Sequence, residues 1–243
     1  MNNYRQLSRV ITAQAASDGD GVSIHRIAGR EVTAALDPFL LLDEIRSDQS
    51  SDYVGGFPPH PHRGFETITY MLQGAMRHED HMGNVGHLAD GGVQWMTAGR
   101  GVIHSEMPEQ AEGLLHGFQL WLNLPAAQKM QPSGYCDYHG AEFPQVAAAN
   151  ARIKVIAGEF AGMRSPVPAR DTAPVYLDVE LPAGAAIDIP VAAKQQAMFY
   201  VYEGATTELR QRQMGCYSQG DTVHLVAGER GARGLFLAGS PLR

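Results

Sequence analysis

Two short motifs, His60-Pro61-His62 and His104-Ser105-Glu106, each place two potential metal ligands at positions i and i+2. In an extended strand, residues two apart point to the same face, so each motif aims two side chains at one point. Together they supply three imidazoles and one carboxylate. That donor set suits a first-row divalent metal, iron(II) first, with nickel, copper, manganese and zinc as alternatives that imidazole-rich sites also accept. Four protein ligands on a metal that prefers six leave up to two positions for water, substrate or dioxygen. A carboxylate ligand can also shift off the metal and take a proton, which makes Glu106 the candidate general base for a substrate hydroxyl.

Presenting these side chains requires stiff, extended segments. His60 and His62 follow Gly55-Gly56-Phe57-Pro58-Pro59, and the prolines at 58, 59 and 61 fix φ and favour extended backbone before them. His104 and Glu106 follow Ala98-Gly99-Arg100-Gly101, a glycine-containing bend that lets the chain approach a crowded centre. Elsewhere 27 glycines and 14 prolines are spread along the chain and divide it into short pieces, the pattern of many strands joined by turns. Val175, Leu177, Val179 and Leu181 alternate with Tyr176, Asp178 and Glu180, as in a half-buried strand. Residues 65–72 and 114–124 read as further strands. Amphipathic helical stretches are few; the best, near 144–150, predicts a short linking helix in an otherwise all-β protein.

The chain repeats itself. Residues 69–74 resemble 200–204, and residues 90–99 resemble 219–228, with an offset of about 130 in both cases. This predicts two similar β-domains in tandem: residues 1–130 with the metal motifs, a linker at 131–150 containing Pro132, Gly134, Gly140 and Pro144, and a second domain at 151–243. Carried across the offset, the four ligand positions land near Pro190, Ala192, Arg233 and Leu235, none a usual ligand, so the second domain is expected to hold no metal and to serve a structural role.

Bulk properties narrow the function classes. A net charge of −7 without any dense Lys/Arg run argues against direct nucleic-acid binding. Only Cys136 and Cys216 are present, which excludes a disulfide framework and a zinc site built on Cys pairs and favours a reduced setting. No segment approaches ~18 consecutive apolar residues, and residues 1–16 lack a signal-peptide pattern. The sequence is therefore read as soluble, cytoplasmic and without membrane contact; a monomer is the default expectation.

The motif residues resemble the two short motifs of the cupin superfamily: a His-x-His with a following Glu and Gly, here His60, His62, Glu66 and Gly74, and a second motif in which Thr97-Ala98-Gly99 stands for the usual Pro-x-Gly and His104 comes two residues late. The match to the pirin family is denser. It runs through residues 37–44, 55–67 and 94–108 and through His116-Gly117-Phe118-Gln119-Leu120-Trp121, and continues more weakly to 243. The resemblance implies a bicupin, two tandem jelly-roll-like β-barrels, with iron at the positions matching His60, His62, His104 and Glu106. Glu66 matches the carboxylate of the general cupin motif, which in pirins is not the ligand; it is expected in the core or orienting a ligand. Pirins usually extend beyond the position of Ser240-Pro241-Leu242-Arg243. The implied activity is quercetin 2,3-dioxygenase, which deprotonates a flavonol hydroxyl and releases carbon monoxide. The alternative is an iron-responsive regulator that binds a transcription factor or metabolic enzyme without turnover.

Other histidines are expected outside the site. His78, Glu79, Asp80 and His81 read as a solvated surface strand, His87 and His139 as exposed, His116 as a satisfied core histidine, and His224, in the place of Trp95 in the repeat, as a packing residue. Arg100 is expected at the surface. Met96, Met107 and Phe57 are candidates for an apolar cavity or ordinary core.

Overall fold

The computed structural model describes residues 3–29 and 32–242; Met1, Asn2 and Arg243, which bound the sequence readings of the termini, lie outside these. Of the described residues 58% are strand and 5% helix, far from the mixed composition of an average domain, and the chain consists of two cupin domains as expected. No helix among the described residues is long and apolar enough to cross a membrane.

One compact unit comprises residues 14–28 and 39–142. Its larger sheet has seven antiparallel strands in the order Gly134–Tyr138, Val93–Thr97, Phe65–Gln73, Leu115–Asn123, Phe39–Ser47, Val22–Ile27, Gln14–Asp18. Its smaller sheet has the order Phe57–His62, Val102–Pro108, Met76–Asp80, Val85–Leu88. Both sheets feed one core, in which Ile24, Ile45, Met71 and Leu115 from the first meet Met76 and Leu88 from the second. Apolar burial between two sheets of alternating pattern is what closes such a barrel.

The second unit comprises residues 1–13, 29–38 and 143–243. Its sheet repeats the first arrangement: Leu7–Thr12, Gln213–Tyr217, Gln196–Thr206, Thr222–Gly239, Val175–Leu181, Ala151–Ala157, Gln145–Ala148. The 18-residue strand Thr222–Gly239 pairs with three strands, one of them Gln196–Thr206. Residues 222–226 pair with Ala186–Pro190, and residues 232–238 pair with Val175–Leu181. The change of partner falls at Gly231, whose φ of +81° suits glycine. Ile153, Leu177, Phe199, Val223 and Phe236 lie in this unit's core.

Several expectations are corrected here. Residues 1–13 sit with 143–243 and not with the metal-motif domain, because the edge of Gln213–Tyr217 takes Leu7–Thr12 as its antiparallel neighbour. The stretch 131–150 is no bare linker. Gly134–Tyr138 extends the first sheet beside Val93–Thr97, and Gln145–Ala148 pairs with Ala151–Ala157, so the expected helix at 144–150 is a strand. Among the described residues, the helical turn in this stretch is the three-residue Gly140–Glu142. The repeat holds with one strand shifted. Phe65–Gln73 and Gln196–Thr206 occupy matching places, but the counterpart of Val93–Thr97 by pairing is Gln213–Tyr217 and not 222–226. Residues 222–226 instead pair with Ala186–Pro190 as Val102–Pro108 pairs with Phe57–His62. The inward side chains of that second pair are Ile187, Ile189, Val223 and Leu225, all buried apolar residues.

Candidate metal centre

Phe57–His62 is the edge strand of the small sheet. That position explains its three prolines, because an edge strand can lack donors on its open side. Its register against Val102–Pro108 sets His60 opposite His104 and His62 opposite Val102. A register shift between His104 and Glu106 marks a bulge in this pairing, a device that re-aims side chains near sites. His104 and Glu106 are 2% and 1% exposed, and both point inward.

Three of the four sequence-predicted ligands converge closely. Ring nitrogens of His60, His62 and His104 all lie within 4.8 Å of one another. The Nε2 atoms of His60 and His104 are 3.1 Å apart. His60 Nδ1 donates to the Pro58 carbonyl at 2.8 Å, which fixes the tautomer and leaves a lone pair on Nε2. Glu106 lies beside this group, its Oε2 4.0 Å from His104 Nε2.

Glu106 is held in a polar frame. Gln119 Nε2 donates to both carboxylate oxygens, at 2.8 and 3.1 Å, and Thr69 Oγ1 donates to Oε1 at 3.3 Å. Trp121 Nε1 in turn donates to Gln119 Oε1 at 2.9 Å, which orients the amide. Burial works against the Glu106 carboxylate, but His78, His104 and Gln119 outweigh it and hold its pKa below the ordinary value, so it is ionised at neutral pH. Burial lowers His62 to about 4, reinforced by the neighbouring imidazoles, and lowers His104 to about 4 against the pull of Glu106. Both rings are therefore neutral at pH 7, the form that ligates metal.

The residues fit a cation. His62 Nε2 is a buried nitrogen with no hydrogen-bond partner among the described residues, an arrangement costly for a polar atom unless something else satisfies it. Neutral imidazoles facing each other at 3.1 Å and an ionised carboxylate beside them are what a divalent ion would satisfy together. A cavity of ≈ 220 Å³ opens over the group, lined by His60, His62, Glu106, Gln119 and Trp121 and by Phe57 and Pro58.

A pH dependence follows for the metal-free protein. Unfolded histidine titrates near ~6.5, whereas His62 and His104 titrate at about 4 when folded. As pH falls from about 6.5 toward 4, the unfolded chain binds protons that the folded chain refuses, so stability is full above this window and declines within it. Chemical denaturation of metal-free protein at pH 7.5 and pH 5 should show a lower midpoint at pH 5; equal midpoints would refute the neutral, buried state of these rings.

The remaining residues sort differently from their sequence readings. His78 and Asp80 are 2% and 8% exposed, not solvated, while Glu79 and His81 are exposed. His78 Nδ1 stands 3.3 Å from Glu106 Oε1, because Met76–Asp80 is the inner neighbour of Val102–Pro108 and sets His78 opposite Glu106. His224 is not buried; it is half-exposed, pairs with Asp188 at 2.7 Å and meets the Tyr4 ring edge-on at 5.8 Å between centroids. His116 is the satisfied core histidine expected, 3.0 Å from Glu44. Glu66 is buried and accepts a hydrogen bond from Thr97 Oγ1 at 2.7 Å. His87, His139 and Arg100 are exposed. Met96 belongs to an apolar core cluster, and Phe57 lines the cavity. Gln119 and Trp121 were missed. They alternate with buried Phe118, Leu120 and Leu122, and the i, i+2 spacing of a polar and an aromatic residue on the other face was the available signal.

Comparisons with known proteins identify the family. Family models match residues 21–122, as pirin, and 176–243, as the pirin C-terminal cupin domain. A Pseudomonas aeruginosa protein named provisionally as a quercetin 2,3-dioxygenase is 46% identical over all of this chain and 89% of its own length. A pirin-like protein of Caulobacter vibrioides is 44% identical over 98% of this chain and 88% of its own. The crystal structure of quercetin 2,3-dioxygenase from Acinetobacter baumannii superposes with a TM-score of 0.90 and 30% identity, covering 99% of this chain and 88% of that one. With two cupin units, an imidazole cluster in the first and this level of identity along its whole length, the chain belongs to the pirin family.

Proposed function

We propose that this chain is a quercetin 2,3-dioxygenase that works with iron(II) held by His60, His62, His104 and Glu106. The observation that carries this reading is the cluster of three imidazoles beside an ionised Glu106 under an open cavity. The named dioxygenases among its relatives supply the reaction class. The bound metal would supply Lewis acidity toward a substrate hydroxyl and a meeting point for dioxygen.

The chain's own residues provide the rest. Glu106 accepts the proton of the flavonol hydroxyl at a carboxylate oxygen, and Gln119 and Thr69 keep that carboxylate in place as its charge changes. Trp121, stacked on Phe65 at 4.5 Å between ring centroids, gives the cavity a rigid flat wall against which an aromatic substrate excludes water. The test is aerobic incubation of Fe(II)-loaded protein with quercetin. Loss of the flavonol absorbance with release of carbon monoxide is the expected result. An unchanged spectrum with the metal bound would overturn the enzymatic reading and favour a regulator that binds a protein partner.

A further inference from the structure

The cavity over the imidazoles has a second polar cluster in its lining, Asp18, Arg26 and Asp43. Arg26 Nε and Nη2 fork Asp43 at 2.8 and 2.7 Å, and the same Nη2 reaches Asp18 at 2.5 Å. Arg26 and Asp43 face each other on neighbouring strands, and a single carboxylate would satisfy that cross-strand pair. The second carboxylate comes from the hairpin joining Gln14–Asp18 to Val22–Ile27. The hairpin is pressed onto the approach to the His60 strand: Asp20 N–H donates to the Gly56 carbonyl at 2.9 Å, and a Cβ on Gly55 would lie 2.1 Å from the Asp20 carbonyl oxygen. The fold thus brings an extra negative charge to the cavity, and the cluster carries a net charge of −1.

The hydrogen-bond accounting leaves capacity on both sides. Each oxygen of Asp43 accepts one bond from Arg26; Asp18 Oδ1 accepts from Gly19 N–H at 2.8 Å, and its Oδ2 accepts from Arg26. A carboxylate oxygen has room for a second donor. Arg26 Nη1 makes no hydrogen bond among the described residues, so its two N–H groups remain to donate. A phenolic hydroxyl both donates and accepts, and matches this pairing; a carboxylate or phosphate on the ligand would meet net negative charge. Phe57, Ile45 and Trp121 complete an apolar wall suited to aromatic rings. His62, 5% exposed and lining the same cavity, has no partner for Nε2 among the described residues, which places the proposed metal within reach of a ligand held at this cluster.

We propose that Asp18, Arg26 and Asp43 form a subsite that reads the ring hydroxyls of a neutral polyphenol, so that the protein selects hydroxylated aromatic chelators over unsubstituted or anionic ones. This rests on the flavonol reading of the metal centre and adds the selectivity to it.

The test uses metal-loaded protein without oxygen and two probes with the same chelating hydroxy-ketone, quercetin and 3-hydroxyflavone, the latter bearing no other hydroxyl. Isothermal titration should show quercetin binding about tenfold tighter or more, the scale of one hydrogen bond to a charged group. In Asp18→Ala this ratio should collapse toward one, the loss falling on quercetin; Asp18→Asn, which keeps an acceptor oxygen and the turn to Gly19, should restore part of it. If the wild-type protein binds both probes equally, the subsite is refuted while the proposed function stands. If the ratio survives in Asp18→Ala, the subsite is likewise refuted. If neither flavonol binds, subsite and function fall together.

Discussion

His62→Ala should leave the protein folded and without stoichiometric metal. The His62 side chain makes no hydrogen bond through Nε2 that the fold would miss. Its ring is positioned by edge contacts with Phe65 and Trp121, at 5.3 and 5.2 Å between centroids, and sits 4.9 Å from His104 and 4.7 Å from His60. Removing it leaves two imidazoles and a carboxylate and opens a void at the cluster. Changing a group that merely orients a ligand costs about 10–100-fold in metal affinity, so loss of a ligand should exceed that. Glu106→Gln keeps an oxygen at the same place and the three imidazoles, so part of the metal should remain while the base function goes. Elemental analysis of both variants and the wild type after dialysis, with thermal melts as a folding control, checks this. Undiminished metal in a folded His62→Ala protein would remove the basis of the proposed centre.

Arg5→Ala should destabilise the unit built from residues 1–13, 29–38 and 143–243 by about 3–5 kcal/mol, the range for losing several charge-assisted bonds and leaving buried acceptors unpaired. Arg5 is 3% exposed, and its guanidinium donates to three backbone carbonyls: Gly220 at 3.2 Å, Gln195 at 2.8 Å and Ala192 at 2.9 Å. Its own N–H donates to the Thr222 carbonyl at 2.8 Å, just ahead of the Leu7–Thr12 strand. The side chain therefore staples the start of the chain to loops about 200 residues away. Arg5→Lys should recover only part of the loss, because one ammonium cannot reproduce a planar fork onto three acceptors. At this size a loss of that order lowers Tm by roughly 10 °C. Differential scanning calorimetry of the three proteins decides it; an Arg5→Ala melt within about 2 °C of wild type would show that the staple contributes little.

The meeting of His60, His62 and His104 was legible because strand parity is local. His60 and His62, and His104 and Glu106, share faces whatever the rest of the chain does, and that is the part of the proposed centre a single strand encodes. The Gly and Pro punctuation likewise determined a chain of short strands, and the likeness of 69–74 to 200–204 announced two similar units. Partner choice was not local. Leu7–Thr12 has the burial pattern ieeeie, mostly solvent-facing, so nothing in its alternation says which edge it joins. Its place beside Gln213–Tyr217 is decided by backbone pairing and by Arg5. Residues 222–226 and 90–99 look alike because both are Gly-bounded strands, yet they take different positions in their barrels. His78 reads as polar surface in an alternating strand; only the neighbour across the ladder, Glu106, makes its face an interior one. Gln119 meets Glu106, and Arg26 meets Asp18 and Asp43, through the stacking of strands that the period of a single strand cannot encode. Alternation along a strand fixes which of these side chains share a face, and pairing between strands fixes what surrounds them, because parity is a property of one strand and register a property of two.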